Sequence, residues 1–425
     1  KGNRSVAVGF GALAIQNLTT STDTYNTAVG SNAGEQITTG VNNTLIGGLA
    51  GDALTDSDHN VAVGYNALSA DTLGSRAVAI GQGALEAQNF TTATENYNVA
   101  VGFHAGTSVT TGRFNSCVGG LAGDAFTTGE HNVAVGYQAL TSAQESNRTV
   151  AVGSNSLNAQ NVAGTTYNVA VGYAAGVSIT TGVENTFIGG LSGDATDDGA
   201  ENTAVGYASL SAGNCGNGNT TVGHASLFSC TGTTNTAVGV SAGSAVTSGS
   251  NNLFLGKDAG LTGSPGGNQT TGSNKIGLGD ENISSFNCQV ALTVASDERD
   301  KTDFVDLDLG LDFVKALEPV TYYWDKRSKY GDKTAEDYDL DAQTPDGTHK
   351  EDWMDVGFKA QAVKALEEAA GYKLSDKKNL TVSLTEDGKQ YGLKYEKFIP
   401  ILVKAIQDQD AIIQSLTARI AALES

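Results

Sequence analysis

One short unit, Asn-x-Ala-Val-Gly, recurs through the first two-thirds of the chain, as at residues 26–30, 60–64 and 202–206. Its closing glycines run from Gly9 to Gly256, with a degenerate last copy at Gly279: sixteen copies, mostly 17 residues apart. A variant ending in two glycines returns about every fourth copy, at Gly47, Gly119 and Gly189. A unit this short holds no helix pair and buries no face alone, so its copies must stack. The spacing predicts a short strand, a turn, a second strand and a turn per coil, with each backbone pairing to the coils above and below. Small Ala and β-branched Val or Ile are expected to fill a narrow interior together. The leading Asn and closing Gly are expected at corners with positive φ. At ~4.8 Å per coil the stack is roughly 75 Å long.

The unit resembles the repeats of trimeric autotransporter adhesin heads and of some bacteriophage fibres, over about residues 3–280. That resemblance implies a homotrimer of interlocked β-rolls. The expected fold class is therefore mainly β: a trimeric stacked β-roll or β-helix rod over 1–282, a linker and strand over 283–295, and an α+β domain over 296–425.

Composition changes abruptly at Ser296. Of 54 glycines, 47 precede it, whereas the shorter second part carries 45 of the 71 charged residues. Both parts are acidic and the net charge is −21. Nucleic acid is thereby an unfavourable partner. No stretch approaches the ~20 apolar residues of a membrane span, so no membrane insertion is expected. The four cysteines (Cys117, Cys215, Cys230 and Cys288) show no metal-ligand spacing and read as buried reduced thiols. No cofactor and no metal are expected.

Several rod residues bear on ligand binding. Aromatics follow the repeat glycine at Phe10, Tyr65, Phe103, Tyr137, Tyr173 and Tyr207; they read as packing between coils ahead of a platform for sugar rings. Asp52, Asp124 and Asp194 occupy equivalent turns, where Asp bonds its own backbone. His59 and His131 share one register and read as turn residues. The repeated turn carboxylates form no singular acid–base pair of the kind a glycosidase needs.

Beyond the rod, residues 263–274 read as a loop and 290–295 as an alternating strand. The segment SDERDKTDFVDLDLGLDFVKALEPVTYYW, at 296–324, follows. Ser296-Asp297, Arg299, Lys301, Gly310-Leu311-Asp312, Leu317, Pro319-Val320 and Tyr322 closely resemble the intramolecular chaperone auto-processing domain at the C-termini of phage tailspikes, endosialidases and tail fibres. The same domain occurs in a membrane-bound animal transcription factor. Residues 356–363 also match, with Ala362 where Glu is usual, and residues 391–407 match the closing helix. The resemblance implies trimerisation of the preceding fibre, then cleavage of Ala295–Ser296 with Ser296 as nucleophile and Lys301 as general base. Taken alone, Ser296 would be a helix cap and Lys301 a solvated charge. Spacing i, i+5 does not join them on a strand or a helix, so a tight reversal through 297–300 or a contact between subunits is required. A neutral lysine needs desolvation or a nearby cation, and Arg299 is a candidate for the latter.

The last segment carries a heptad seam, with Ile399, Ile406, Ile413 and Ile420 alternating with Leu402, Gln409, Leu416 and Leu423. It predicts a coiled-coil helix over 397–424, with Gln409 fixing register and the preceding domain dictating three strands.

Together these features point to a bacteriophage tail-fibre subunit with receptor-binding and structural roles, assembled in the host cytoplasm and carried on the virion. Expected partners are two further copies, a host surface glycan or outer-membrane component, and other tail proteins met through a segment before Lys1. A bacterial surface adhesin and a glycan-degrading tailspike are the competing readings.

Overall fold

The computed structural model describes residues 2–424 except 291, 334 and 336. It comprises two compact units, Lys1–Ala259 with Thr270–Leu278, and Gly260–Gln269 with Gly279–Ser425.

The first unit is a β-solenoid. Sixteen three-residue strands, from Val6–Val8 to Ile276–Leu278, form one parallel sheet in chain order. Register is strict: Ala28 pairs Leu45, Leu45 pairs Ala62, and Ala62 pairs Ala79. Only the middle residue of each strand turns inward. Ala28, Ala62, Ala100, Ala134 and Ala170 are fully buried, with Leu45, Phe187 and Phe254 filling the same column in other coils. The flanking Val and Ile point outward, which corrects the expectation that Ala and Val share the interior. Successive strand side chains alternate in direction, and the narrower residue takes the inside.

The second strand expected in every coil is confined, among the described residues, to three two-residue pairs: Gly2–Asn3 with Thr22–Asp23, Gly74–Ser75 with Thr94–Glu95, and Ser146–Asn147 with Gly164–Thr165. Elsewhere the coil closes through turns. Each pair falls at one of the longer coils, where the glycine spacing exceeds 17 residues, and these coils punctuate the stack every fourth step.

The repeat asparagines are not corner residues. The positive-φ position is the residue before each, such as His59 (φ 61°), Tyr97 (φ 52°) or Glu184 (φ 60°). The asparagines lie buried and laddered. Asn43 Oδ1 accepts the N–H of Asn60 at 2.9 Å, while its Nδ2 donates to the Ser57 carbonyl at 2.7 Å. Asn115, Asn132, Asn185 and Asn202 continue the ladder. Each buried amide thus satisfies a corner N–H that the turn leaves unpaired. Ala77 interrupts the ladder, and Asn96 from the longer coil supplies the missing acceptor to Asn98 N–H at 2.9 Å.

The second unit is α+β. Helices α1 (Leu311–Ala316), α2 (Ala360–Ala369) and α3 (Phe398–Glu424) accompany two antiparallel strand pairs, Val320–Tyr322 with Asp355–Gly357 and Val382–Leu384 with Tyr391–Leu393. Leu309, Phe313, Val363, Val382, Phe398 and Ile401 form its core. Residues 263–274, read as a loop beyond the rod, instead precede the last solenoid strand. The strand expected at 290–295 is absent from described residues 292–295, which belong to no strand and are exposed; Ala291 lies outside the described residues.

Candidate functional site

The start of the second unit brings Ser296 and Lys301 together. Asp297 accepts the Arg299 N–H at 2.9 Å and so caps a 3-10 turn at Glu298–Asp300. That turn reverses the chain and returns Lys301 Nζ to 2.5 Å from Ser296 Oγ and 3.1 Å from the Ser296 carbonyl oxygen. The cap is therefore Asp297 rather than Ser296, and the reversal occurs within a single chain. Both Ser296 and Lys301 are exposed.

Arg299 pairs within the turn. Its guanidinium grips Asp297, with Nη2 at 2.6 Å and Nε at 3.0 Å, and this pairing holds the Asp297 carboxyl below the usual carboxylate range. Through this pair Arg299 stiffens the turn.

Further along the unit, several residues of the matching segments are held by specific contacts. Tyr322 and Trp324 both donate to Asp355 Oδ2, at 3.3 and 3.2 Å, and burial pushes the Tyr322 phenol up to about 12. A Cβ on Gly357 would press on the Tyr395 hydroxyl, which would have to shift, and lie 3.4 Å from the Tyr322 ring. Ala362 lines a cleft of about 220 Å³ with Leu317, Phe358 and Leu366, so the shorter side chain leaves space beside α2. Glu367 is 1% exposed and accepts from Thr381 N–H at 2.7 Å and Thr381 Oγ1 at 2.5 Å. Asp355 and Glu367 were not singled out by the sequence, and Asp297, a residue of the matching motif, was not read there as the cap.

Helix α3 buries only Phe398, Ile401 and Ala405. Ile399, Leu402, Ile406, Ile413, Leu416, Ile420 and Leu423 are exposed in the single chain, which leaves the heptad seam largely uncovered.

These features coincide with a known family. Residues 296–372 match the family model described as chaperone of endosialidase. The match opens at Ser296 and covers the Ser296–Lys301 turn, the Val320–Tyr322 and Asp355–Gly357 strands, and α2, which supports an intramolecular chaperone in the second unit. No curated protein matches the chain.

The rod candidates behave differently. Tyr65, Tyr137 and Tyr207 lean over Gly48, Gly120 and Gly190 of the preceding coil, where an added Cβ would meet each ring at 3.5–3.6 Å. A Cβ there would make only ordinary contact with the ring, so the tyrosine does not by itself require the second glycine, and the rings remain about half exposed. His59 and His131 occupy positive-φ turns, and His131 stacks on Phe114 with centroids 4.8 Å apart. Asp124 accepts from Thr141 Oγ1 at 2.5 Å. Asp52 and Asp194 each keep one buried oxygen without a hydrogen-bond partner, and burial raises both carboxyls. Cys117, Cys215 and Cys230 are buried and free, with burial pushing the Cys117 thiol up to about 12; Cys288 is exposed, contrary to expectation. Among the described residues no cluster of three or more His, Cys, Asp or Glu is suited to a metal, and no helix is long and apolar enough to cross a membrane.

Proposed function

We propose that this chain is a structural subunit of a bacteriophage tail fibre, which serves attachment to a host surface glycan or outer-membrane component. Its C-terminal chaperone gathers three copies in the host cytoplasm and then severs itself before Ser296. The mature rod travels on the virion, joined to other tail proteins. The observation that carries this reading is the Lys301 Nζ–Ser296 Oγ contact of 2.5 Å, placed at the first residue of the chaperone match. The exposed α3 seam supports self-association.

In the proposed step, neutral Lys301 takes the Ser296 Oγ proton as Oγ attacks the Ala295 carbonyl carbon. The C–N bond breaks, and the Ser296 nitrogen receives that proton. Water then hydrolyses the ester, leaving a carboxylate on Ala295 and a free amine and hydroxyl on Ser296. A neutral lysine requires shielding from water. Both side chains are exposed in one chain, so the shield must come from neighbouring copies, which couples cutting to assembly.

Repeats of near-identical sequence are prone to slip by one coil, and alignment at a C-terminal nucleus removes that freedom. Losing the nucleus afterward traps the fibre kinetically. The test is a denaturing gel with intact mass on wild type, Ser296→Ala and Lys301→Ala. A fragment beginning at Ser296 in the wild type alone is expected; full-length chain in all three would sink self-cleavage.

A further inference from the structure

One corner of the solenoid brings two thiols together. An inward column is filled in different coils by Ile37, Leu54, Val109, Phe126, Ile179 and Cys230, all buried. In the coil before Cys230 the same spacing puts Gly213 in this column, where it supplies no side chain. A Cβ there would collide with the Cys230 carbonyl oxygen. Cys215, two residues on, is fully buried. Its Sγ and the Cys230 Sγ each lie 3.7 Å from one atom, the Gly232 carbonyl oxygen. Asparagines of the ladder donate to both sulfurs: Asn219 Nδ2 to Cys215 Sγ at 3.2 Å, and Asn235 Nδ2 to Cys230 Sγ at 3.5 Å. The thiols also hydrogen-bond each other, which lowers the Cys230 thiol from its usual value and raises that of Cys215. The first proton therefore leaves Cys230.

The polar ladder is incomplete at the same corner. Asn43, Asn132 and Asn185 each donate to the carbonyl fourteen residues on. Asn202 Nδ2 is buried without a hydrogen-bond partner, as is Thr196 Oγ1. Both side chains crowd Gly199, against which the Cys215 carbonyl packs. Buried groups left unpaired regain water when the chain opens, so this coil opens at lower cost than its neighbours.

We propose that Cys215 and Cys230 are a redox-sensitive pair, which a peroxide converts into a disulfide that staples two adjacent coils. Cys230 Sγ attacks one peroxide oxygen, the O–O bond breaks, and water leaves, giving a sulfenic acid on Cys230. Cys215 Sγ then attacks that sulfur. The S–O bond breaks, and the Cys215 proton leaves with a second water. Two thiols are thus oxidised to one disulfide while one peroxide is reduced to two waters. A peroxide little larger than water enters during brief opening of one coil. Reducing surroundings keep both thiols free, and oxidising ones close the link. The link spans the corner where Gly213 adds nothing to the column and Asn202 lacks a partner, so it fixes a coil contact that the fold itself holds weakly. The pair acts within one chain and needs neither further copies nor cleavage before Ser296.

The test uses the full chain with Cys288→Ser, which removes the exposed thiol and leaves three buried ones. The reduced chain is exposed to hydrogen peroxide, catalase removes the excess, and N-ethylmaleimide in denaturant then caps every remaining thiol. Intact mass is expected to show three maleimides without peroxide and one, on Cys117, after it. Peptides holding Cys215 and Cys230 should stay joined until reduced. With Cys215→Ser added and dimedone present, no joined peptide forms and a dimedone adduct on Cys230 takes its place. Amide exchange over residues 213–232 should slow several-fold in the linked chain. Three maleimides after peroxide, over-oxidised Cys230 without a joined peptide, or a link to Cys117 overturns the pair as a redox site. Unchanged amide exchange in the linked chain overturns the staple.

Discussion

A Cβ placed on Gly64 would lie 2.5 Å from the carbonyl oxygen of Gly81, one coil further along the stack. The same collision recurs at each repeat glycine from Gly9 to Gly239, where φ is between 132° and 144°. Stacking distance and backbone conformation thus impose glycine twice over.

Gly136→Ala separates these causes from backbone strain alone. Gly136 has φ 133° and its Cβ would meet the Gly153 carbonyl at 2.5 Å, whereas Gly164 has φ 103° and nothing within 4 Å. Gly136→Ala is expected to cost about 3 kcal/mol and Gly164→Ala about 1 kcal/mol. Denaturant unfolding of the two variants checks the order; equal losses would show that strain rather than stacking sets the requirement.

Asn132 joins three coils. It accepts from Thr149 N–H at 3.1 Å and donates to the Ser146 carbonyl at 2.7 Å and to Asn115 Oδ1 at 3.1 Å. Asn132→Ala strands a buried donor and a buried acceptor, at about 2–5 kcal/mol in sum. The expected readout is a lower thermal midpoint, with amide exchange accelerated first at Thr149.

Asp71 gives the rod a pH dependence. It is fully buried, accepting from Gly74 and Phe90 N–H at 3.0 Å and from Gln88 Nε2 at 2.6 Å, and burial nonetheless raises its carboxyl above the usual value of 3.8. A raised folded-state value means that the folded chain holds this proton more tightly than the unfolded chain. The stabilising contribution is present below 3.8 and is lost as pH rises through the folded value. Asp71→Asn removes the titration. Between neutral pH and about pH 4, the wild-type midpoint should therefore move upward relative to that of Asp71→Asn. A downward or absent relative shift would contradict the burial argument.

Glu367 closes the second unit. Its carboxylate takes the N–H groups of Thr381 at 2.7 Å and Leu380 at 3.3 Å, at the start of the Val382–Leu384 strand. Glu367→Ala leaves the buried Thr381 N–H and the half-buried Leu380 N–H without this partner and should cost about 3 kcal/mol. Near-ultraviolet dichroism from Tyr391 and Tyr395 should fade while the solenoid signal persists.

How much of this was legible beforehand depended on what periodicity can carry. The stack and its coil count print directly, because every coil presents the same residue to the same neighbour. Which residue of the pair before each strand takes the left-handed corner does not print: Tyr97, His131 and Glu184 hold it with no common chemistry, whereas the constant Asn98, Asn132 and Asn185 suggested themselves and are interior. The outward turn of Val61 and Val63 was implied by strand parity, but apolar character argued for the inside. At the candidate site, spacing separates Ser296 from Lys301 on any regular element. A 3-10 turn capped from Asp297 joins them, and three residues are too few to show a period.

That cap yields the last prediction. Asp297 acts on the Ser296–Lys301 contact only through the turn, accepting Arg299 N–H and clasping the Arg299 guanidinium. Asp297→Ala removes both interactions, so Lys301 spends less time on Ser296 Oγ and the fragment beginning at Ser296 should appear several-fold more slowly. Asn is as good a cap as Asp but offers no charge to Arg299, so Asp297→Asn should recover most of the rate. A direct chemical role for the carboxylate would leave Asn as slow as Ala. Timed sampling of fragment mass, with native mass confirming equal assembly in all variants, decides between positioning and chemistry.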